Sequence, residues 1–368
     1  MSFVPRTMFP KYNISLSNFK GHHQKALTKF GHLAPMIDLV VEVRDGRAPL
    51  ATSNVLFDRV LSGKKKLVLY SKKDLSIINT KLLDKWHSSS NEDYMYVNCN
   101  NNTDVKKIIN KIKQEYHDYD LPPPLGLRAM IIGMPNVGKS TLVNKLREVG
   151  NPVNKNAISQ KQTKVAKVGG QPGVTRNTSE VIRICKNPDL FVYDTPGVFL
   201  PTVKDPETML TLGLVGCVHE SFIDPIILAD YLLYLLNLQD PRGVLYADFM
   251  DHPTNDIYEL LHYIAKARGV LQSDGAYDEV GIANFWVNMW KQGRNFDGRA
   301  LFDIAAIKEV NNNEYMTLRK QEMERVSSTK VHEKIVEKLG QDGTAKSKHR
   351  KRSAKDREYD IRNRLFKL

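Results

Sequence analysis

One stretch of the chain, residues 133–141, has the residue types and spacing of a phosphate-binding loop. Its sequence, GMPNVGKST, fits the pattern G-x-x-x-x-G-K-S/T and lies between an apolar, strand-like run and a segment with helical periodicity. The two glycines let backbone N–H groups turn toward a triphosphate, and the following helix adds its positive dipole. We expect Lys139 to reach the β- and γ-phosphates and Ser140 to supply a hydroxyl to Mg²⁺. The predicted phosphate-loop contacts are Asn136, Val137, Gly138, Lys139, Ser140 and Thr141.

Two further positions would complete a site for Mg²⁺ and the γ-phosphate. Asp194 ends an apolar strand and begins the sequence DTPG (194–197). In this arrangement Asp194 holds the water shell of Mg²⁺, and the N–H of Gly197 bonds a γ-phosphate oxygen. Thr175 lies between the phosphate loop and Asp194, where its hydroxyl would meet Mg²⁺ when triphosphate is bound. The predicted Mg²⁺ ligands are therefore Ser140 and Thr175.

The sequence SKKD at residues 71–74 resembles the guanine-reading pattern N/T-K-x-D. The Asp74 carboxylate can accept from both the N1–H and the exocyclic N2–H of guanine, which adenine does not offer. Lys72 would lay its apolar stem over the base, whereas Ser71 departs from the usual Asn. Lys-Lys-Asp after a strand is common, so this sequence indicates a guanine site only in combination with the other motifs. The predicted guanine-binding residues are Ser71, Lys72, Asp74, Asn98 and Cys99.

Strands alternate with helices around these motifs, which predicts a mainly parallel sheet with helices on both faces. The predicted strands cover 37–43, 66–70, 94–98, 128–134, 181–185 and 190–193. The predicted helices between them cover 54–61, 77–86, 105–116 and 139–149. Beyond residue 206 the pattern is helical, and we predict helices over 226–238, 257–268, 280–291 and 315–339.

The fold class is therefore α/β, and the chain divides into four parts. These are a basic, import-like segment (1–18), a nucleotide-binding domain (19–205), a smaller α-helical domain (206–340) and a basic tail (341–368). The chain after Gly197 runs directly into the helical domain. We therefore expect loss of the γ-phosphate to affect the helical domain.

The order of the motifs is unusual. In a Ras-like GTPase the phosphate loop comes first and the base-reading motif comes late. In this chain residues 71–74 precede the phosphate loop, which precedes Asp194. The proline-rich connector at 121–126 joins what would otherwise be the two ends. The sequence therefore predicts a circularly permuted P-loop GTPase domain.

The chain resembles the YlqF/RbgA family of circularly permuted GTPases, which assist assembly of the large ribosomal subunit. The resemblance covers roughly residues 19–301. Five motifs carry it in the permuted order: FKGH (19–22), VEVRDGRAP (41–49), the phosphate loop, PGVT (172–175) and DTPG (194–197). With its import-like N-terminus the chain looks most like the fungal mitochondrial branch of that family. The resemblance implies a GTP-driven factor for assembly of the mitochondrial large ribosomal subunit, and so for mitochondrial translation.

The resemblance also implies a catalytic residue. A Ras-like enzyme orients the attacking water with a Gln after D-x-x-G, but Val198 stands at that position and cannot hydrogen-bond. The histidine of the family motif W-F-P-G-H-M corresponds to His22. Asn18, Lys20 and His23 stand where that motif has Trp, Pro and Met. The alternative is that His22 is a solvated histidine in a basic arm.

Asn136 is a second residue that the resemblance brings forward. In similar GTPases this Asn places K⁺ beside the phosphates, where the cation does part of the work of an arginine finger. The alternative is that Asn136 merely caps the loop. The implied cofactors are GTP and Mg²⁺, with K⁺ as a candidate, and we expect slow turnover that a partner stimulates.

Composition indicates what that partner is. A net charge of +13 and a pI near 9.4 favour a polyanion. Basic residues cluster in 155–167 and 346–367. We predict backbone contacts with rRNA of the mitochondrial large subunit. The alternative is a membrane-associated signalling GTPase at the inner mitochondrial membrane.

The N-terminal composition indicates where the protein works. Residues 1–36 contain no Asp or Glu and intersperse basic residues with Ser, Thr, Phe and Tyr, which is typical of a mitochondrial import segment. We predict the matrix, with peripheral contact at the matrix face of the inner membrane as the alternative. No run approaches the ~18–20 apolar residues of a membrane span. The three cysteines form neither a metal pattern nor a disulfide framework. We expect a monomer.

Overall fold

A six-stranded sheet forms the centre of the computed structural model, which describes residues 3–90, 92–151, 181–272, 274–295, 298–309, 315–329 and 337. The strands are β1 (Leu39–Asp45), β2 (Lys65–Ser71), β3 (Asp93–Tyr96), β4 (Leu127–Ile132), β5 (Val181–Cys185) and β6 (Leu190–Asp194). Their spatial order is β3-β2-β1-β4-β6-β5. All neighbours pair in parallel except β5, which runs antiparallel to β6 at one edge.

The phosphate loop follows β4, which lies between β1 and β6 in the middle of the sheet. Three strands that carry the base-reading half of the site therefore come before the phosphate loop in the chain. This arrangement confirms the predicted α/β fold with a circularly permuted P-loop domain.

Five helices accompany the sheet: α1 (Gly21–Leu33), α2 (Leu56–Val60), α3 (Thr80–Ser90), α4 (Asn102–His117) and α5 (Lys139–Gly150). Their buried positions recur at helical spacing, as in α4 with Val105, Ile108, Ile109 and Ile112. Asn101 begins α4 by accepting from the N–H groups of Thr103 and Asp104. These apolar stripes pack α1 against α2 and α4 against α5.

The remaining helices are α6 (Pro206–Leu214), α7 (Pro225–Gln239), α8 (Ile257–Ala267), α9 (Glu279–Lys291), α10 (Ile304–Glu309) and α11 (Tyr315–Ser327). Four of them begin at an Asp whose side chain accepts from backbone N–H groups: Asp205, Asp224, Asp256 and Asp278. α7 is apolar on nearly all sides because it packs against α6, α8, α9 and α10. Among the described residues, no helix is both long and apolar enough to cross a bilayer.

Several elements differ from the sequence-based prediction. The structure places α3 at Thr80–Ser90 rather than 77–86, and α6 and α10 were not predicted. α1 was not predicted, although Ala26, Leu27 and Phe30 form a buried stripe among its basic residues. β3 ends at Tyr96, two residues early. α11 ends at Ser327 because the hydroxyls of residues 328 and 329 bond the last helical carbonyls. The rest of the predicted helix up to 339 lies largely outside the described residues.

The N-terminal segment lies along the helical part of the chain. Phe9 is buried, and its ring contacts those of Tyr231 and Tyr234 at centroid distances of 5.0 and 5.5 Å. Arg6 forms an ion pair with Asp230 at 2.6 Å. Residues 3–18 are therefore part of the packed structure, and the domain boundaries remain a prediction.

Candidate nucleotide-binding site

The phosphate loop adopts a conformation that its glycines make accessible. Gly133 has φ 150° and Gly138 has φ 104°, both in the region that favours glycine. A Cβ at Gly133 would lie 2.4 Å from the carbonyl oxygen of Val43. β1 therefore approaches the loop so closely that no side chain fits at its first position.

Lys139 is buried at the start of α5. Its Nζ donates to the carbonyl oxygen of Met134 at 2.6 Å, so the side chain curls back over the loop. Burial lowers the pKa of Lys139 to about 8, and the Asp194 carboxylate partly opposes this effect. Phosphate oxygens bound at this loop would stabilise the ammonium and raise its pKa again.

Ser140, at the start of α5, and Asp194, at the end of β6, lie next to each other. The Ser140 hydroxyl donates to Oδ2 of Asp194 at 3.1 Å, and burial raises the pKa of that carboxyl. Both groups are oxygen ligands, which suit Mg²⁺ with phosphate and water completing its shell. Within the described ranges no cluster of His, Cys, Asp or Glu could hold a metal by itself. Thr175, the other predicted ligand, lies outside the described residues.

The DTPG segment lies directly against the phosphate loop. A Cβ at Gly197 would come within 2.6 Å of the backbone of Pro135. The N–H of Val198 donates to the carbonyl oxygen of Gly133 at 3.2 Å, and Asn54 donates to the carbonyl oxygen of Val198 at 2.9 Å. The Val198 side chain is fully buried, so it cannot position an attacking water.

The base-reading loop is tied to the phosphate loop by side chains. The Ser71 hydroxyl lies 2.7 Å from the carbonyl oxygen of Val137 and 3.0 Å from that of Arg44. Nζ of Lys72 donates to the carbonyl oxygen of Asn136 at 3.1 Å. The serine that replaces the usual Asn thus has a tethering role, and the Asp74 side chain is exposed.

The loop after β3 lies beside this motif. The N–H of Lys73 donates to the carbonyl oxygen of Val97 at 3.1 Å. The N–H of Asn98 donates to Asp104 at 2.9 Å, which fixes the turn. Burial raises the pKa of the Cys99 thiol to about 12, so this residue is a neutral packing group. Cys99 can therefore contact a base only through its backbone.

The two adjacent histidines have different environments. His23 is buried, its Nδ1 accepts from the N–H of Lys20 at 3.1 Å, and burial lowers its pKa to about 3. It therefore fastens the start of α1 as a neutral ring. The His22 ring is half-buried, 4.1 Å from that of His23. The chain before α1 touches the segment after Gly197, because Val203 donates to the carbonyl oxygen of Leu16 at 2.9 Å.

Several contacts around the site were missed by sequence reasoning. Nδ2 of Asn136 donates to the carbonyl oxygen of Gly216 at 2.7 Å, and the Cys217 thiol donates to the carbonyl oxygen of Pro135 at 3.0 Å. The turn after α6 therefore rests on the phosphate loop. Asp45 and Arg47, which form a buried ion pair next to Lys72, were also missed as site residues. In the sequence, the only indication of their importance was that both lie in the motif at 41–49.

Comparison with known proteins adds to this geometry. Residues 128–264 match the family described as 50S ribosome-binding GTPase. Mitochondrial GTPase 1 of Saccharomyces cerevisiae is 42% identical over 326 residues, covering 82% of this chain and 86% of that protein. The Schizosaccharomyces pombe protein of the same name is 34% identical, covering 80% and 92%.

Mitochondrial ribosome-associated GTPase 1 of Mus musculus is 34% identical over 227 residues, covering 60% of this chain and 66% of that protein. GNP-bound YlqF from T. maritima is 22% identical, covers 73% of this chain and 94% of its own, and superposes with a TM-score of 0.47.

A P-loop GTPase with a circularly permuted domain is the class of protein that this fold and site define. It binds GTP and hydrolyses it to GDP and phosphate. The chain belongs to the mitochondrial GTPase 1 family.

Proposed function

We propose that this GTPase binds rRNA in the precursor of the mitochondrial large ribosomal subunit and uses GTP hydrolysis to promote assembly of that subunit. The match of residues 128–264 to a family described as 50S ribosome-binding GTPases carries this proposal. The ribosome-associated relative in Mus musculus supports it. The protein acts as a monomer in the mitochondrial matrix, and the basic segments at 155–167 and 346–367 hold the rRNA backbone.

The residues of the site have separate tasks in the proposed reaction. Lys139 and the backbone N–H groups of the loop hold the β- and γ-phosphates, while Asp74 reads the guanine. Ser140 and Thr175 would hold Mg²⁺, with Asp194 binding its water shell, and the ion would supply positive charge next to the phosphate oxygens. The Gly197 N–H contacts the γ-phosphate, next to Pro135.

Hydrolysis is slow without the ribosome because Val198 cannot orient a water. His22 supplies this function when the ribosomal particle is bound. Its neighbour His23 is unsuited to the role, since it is buried and already bonded to the backbone of Lys20. If K⁺ binds beside the phosphates, the amide oxygen of Asn136 is its ligand, because the nitrogen donates to Gly216.

The experiment is GTP hydrolysis by the purified protein in K⁺ and in Na⁺, with and without mitochondrial large subunits. We expect a rise of about 100-fold or more with subunits, and a further gain in K⁺ over Na⁺. His22→Ala should abolish the stimulation, whereas His23→Ala should mainly reduce the free energy of unfolding. A flat response to subunits, together with salt-resistant binding to anionic vesicles, would support the membrane alternative instead.

A further inference from the structure

A continuous series of hydrogen bonds joins the helical part of the chain to both loops of the nucleotide site. In order, it passes through Lys291, Arg47, Asp45, Lys72, Asn136 and Gly216. Its two ends are carbonyl oxygens at the end of α9 and after α6. Its middle lies where the base-reading loop meets the phosphate loop.

Asp45 is the central member of this series. Its side chain is fully buried, and Oδ1 accepts from the backbone N–H and Nε of Arg47, both at 3.0 Å. Oδ2 accepts from Nη2 of Arg47 at 2.9 Å and from Nζ of Lys72 at 2.6 Å. Arg47 alone gives this carboxylate three donors. Arg47 therefore already compensates the negative charge of Asp45, and the additional contact with Lys72 calls for another explanation.

Lys72 is held in a conformation that needs support. Its backbone has φ 57° and ψ 40°, the left-handed region that a side chain disfavours. Its side chain is 24% exposed, whereas the next residue, Lys73, is more exposed and its Nζ lies 5.7 Å from the centre of the Tyr96 ring. Two contacts draw Nζ of Lys72 inward, one from Asp45 and one from the carbonyl oxygen of Asn136. Both ends of the Lys72 side chain are therefore held, which restricts the positions of its stem.

We propose that Asp45 is a positioning residue for guanine nucleotides. It holds the ammonium of Lys72 against the phosphate loop so that the apolar stem forms a preformed platform for the base. This inference rests on the guanine site in the proposed function. Asp45 and Arg47 thereby gain a role, although the proposed contacts with the base and the phosphates do not involve them directly.

Arg47 fixes Asp45 to the rest of the molecule. Its Nη1 donates to the carbonyl oxygen of Lys291, the last residue of α9, at 2.8 Å. Its own carbonyl oxygen accepts from the N–H of Phe302 at 2.7 Å, and its guanidinium lies 5.5 Å from the centre of that ring. The platform for the base is thus braced by two segments that follow the GTPase domain in the chain.

The test is a double-mutant cycle on GDP affinity, measured without ribosomes. Asp45→Asn and Lys72→Ala should each weaken GDP binding by about tenfold. Because Asp45 acts through Lys72, the double variant should bind no more weakly than Lys72→Ala alone. If Asp45→Asn folds and binds GDP normally, or if the two losses multiply, the inference is wrong.

Glu42→Gln is the matched control, since Glu42 is as buried as Asp45 on the same strand and pairs with Arg44. It should reduce stability and leave GDP affinity unchanged. If Asp45→Asn does not fold, Arg47→Lys replaces it in the cycle, and its effect on GDP affinity should also vanish in the Lys72→Ala background. A full effect in that background would overturn the inference.

Comparison of GDP with inosine diphosphate, which lacks the exocyclic amine, separates this inference from the site assignment. Asp45→Asn should weaken both nucleotides by the same factor, whereas Asp74→Asn should lose the preference for GDP. If Asp74→Asn still prefers GDP to inosine diphosphate, the guanine site itself is misassigned, and the inference about Asp45 is then wrong as well. If only the cycle fails, the guanine site stands.

Discussion

Two networks of buried charges start from the same strand and serve different neighbours. Glu42 and Arg44 point to one face of β1, and Asp45 points to the other, because side chains alternate along a strand. Asp45 leads to the base-reading and phosphate loops. Glu42 pairs with Arg44 at 2.8 Å and with Lys66 at 3.3 Å, and this network leads to α11.

The α11 network is a packing device. Nη1 of Arg44 donates to the hydroxyl of Tyr315 at 2.8 Å, and the Tyr315 ring stacks on Trp86 with centroids 5.0 Å apart. Arg319 bonds Glu92 at 2.8 Å and also Asp58. The ion pairs of this network join side chains, and Glu42 also accepts from the N–H of Asn54 at 3.5 Å. The Asp45 network instead includes a carbonyl oxygen of the phosphate loop, that of Asn136.

The electrostatics of the two carboxylates are nevertheless alike. Burial raises the pKa of each, and the neighbouring cations outweigh burial, so both pKa values lie below the ordinary range. Charge pairing alone therefore does not reveal a role in binding. What distinguishes the networks is where they end, and the following variants should separate them.

Arg44→Met should give the largest effect on stability. The free energy of unfolding should fall by roughly 3–5 kcal/mol, because Glu42 remains buried with its closest partner removed. GDP affinity of the folded protein should not change. Urea denaturation and GDP titration measure the two quantities. Adding Glu42→Gln should recover much of the lost stability. A loss of GDP affinity in folded Arg44→Met would show that the Glu42 network also affects nucleotide binding, contrary to this comparison.

Lys139→Ala should affect only the nucleotide side. GTP turnover should fall by about 100-fold or more, because the residue holds the phosphate charge in a buried site. The nucleotide-free protein should not lose stability, since a buried ammonium whose pKa is lowered to about 8 is removed. Lys145→Ala, on the same helix and paired with Glu148 at 2.9 Å, is the control and should retain turnover. Turnover near normal in Lys139→Ala would contradict the site.

Asp303 provides a third buried carboxylate, held by the N–H groups of Leu50 and Ala51 at 2.6 and 3.1 Å. Burial raises its pKa from 3.8 to about 7. Between these values the folded state binds the extra proton, so the contribution of Asp303 to stability falls as pH rises through this range. Asp303→Asn should therefore be more stable than the unaltered protein at pH 8, by about 1 kcal/mol or more. Identical pH profiles of thermal unfolding would refute this expectation.

Arg325→Met should give the smallest effect. Nη2 of Arg325 donates to the carbonyl oxygen of Thr202 at 2.6 Å, so α11 holds the chain that follows the DTPG segment. We expect stability to fall by about 1 kcal/mol, the typical net contribution of one hydrogen bond. Arg59→Met, which loses an exposed bond to Ser327, should change stability by less than about 0.5 kcal/mol. Equal losses of stability in the two variants would show that the contact with Thr202 contributes no more than an exposed hydrogen bond.

The sequence predicted those parts of the site that depend on a few adjacent residues. The phosphate loop is an example, because two glycines and a lysine fix both its conformation and its chemistry. The sheet followed from the alternation of apolar runs with helical patterns. The permuted order of motifs then predicted a circularly permuted domain, whereas the strand order, with β4 between β1 and β6, was established by the structure.

The missing parts depend on residues far apart in the chain. The partner of Asp45 is set by the register in which Asp45 lies opposite Ser71, next to Lys72, and no local pattern specifies that register. The contact of Gly216 with Asn136 likewise joins residues 80 positions apart. α1 was missed because basic residues surround its apolar stripe.

The strand order also has a consequence for how the chain folds. A chain made from its N-terminus completes β1, β2 and β3 before β4 exists, so β1 spends that time as an open sheet edge on the side where β4 later pairs. Open edges of apolar strands invite pairing with other chains. The charged side chains of Glu42, Arg44 and Asp45 oppose such pairing, because burying them in a foreign sheet carries a desolvation cost. The residues that brace the finished molecule also protect its unfinished half.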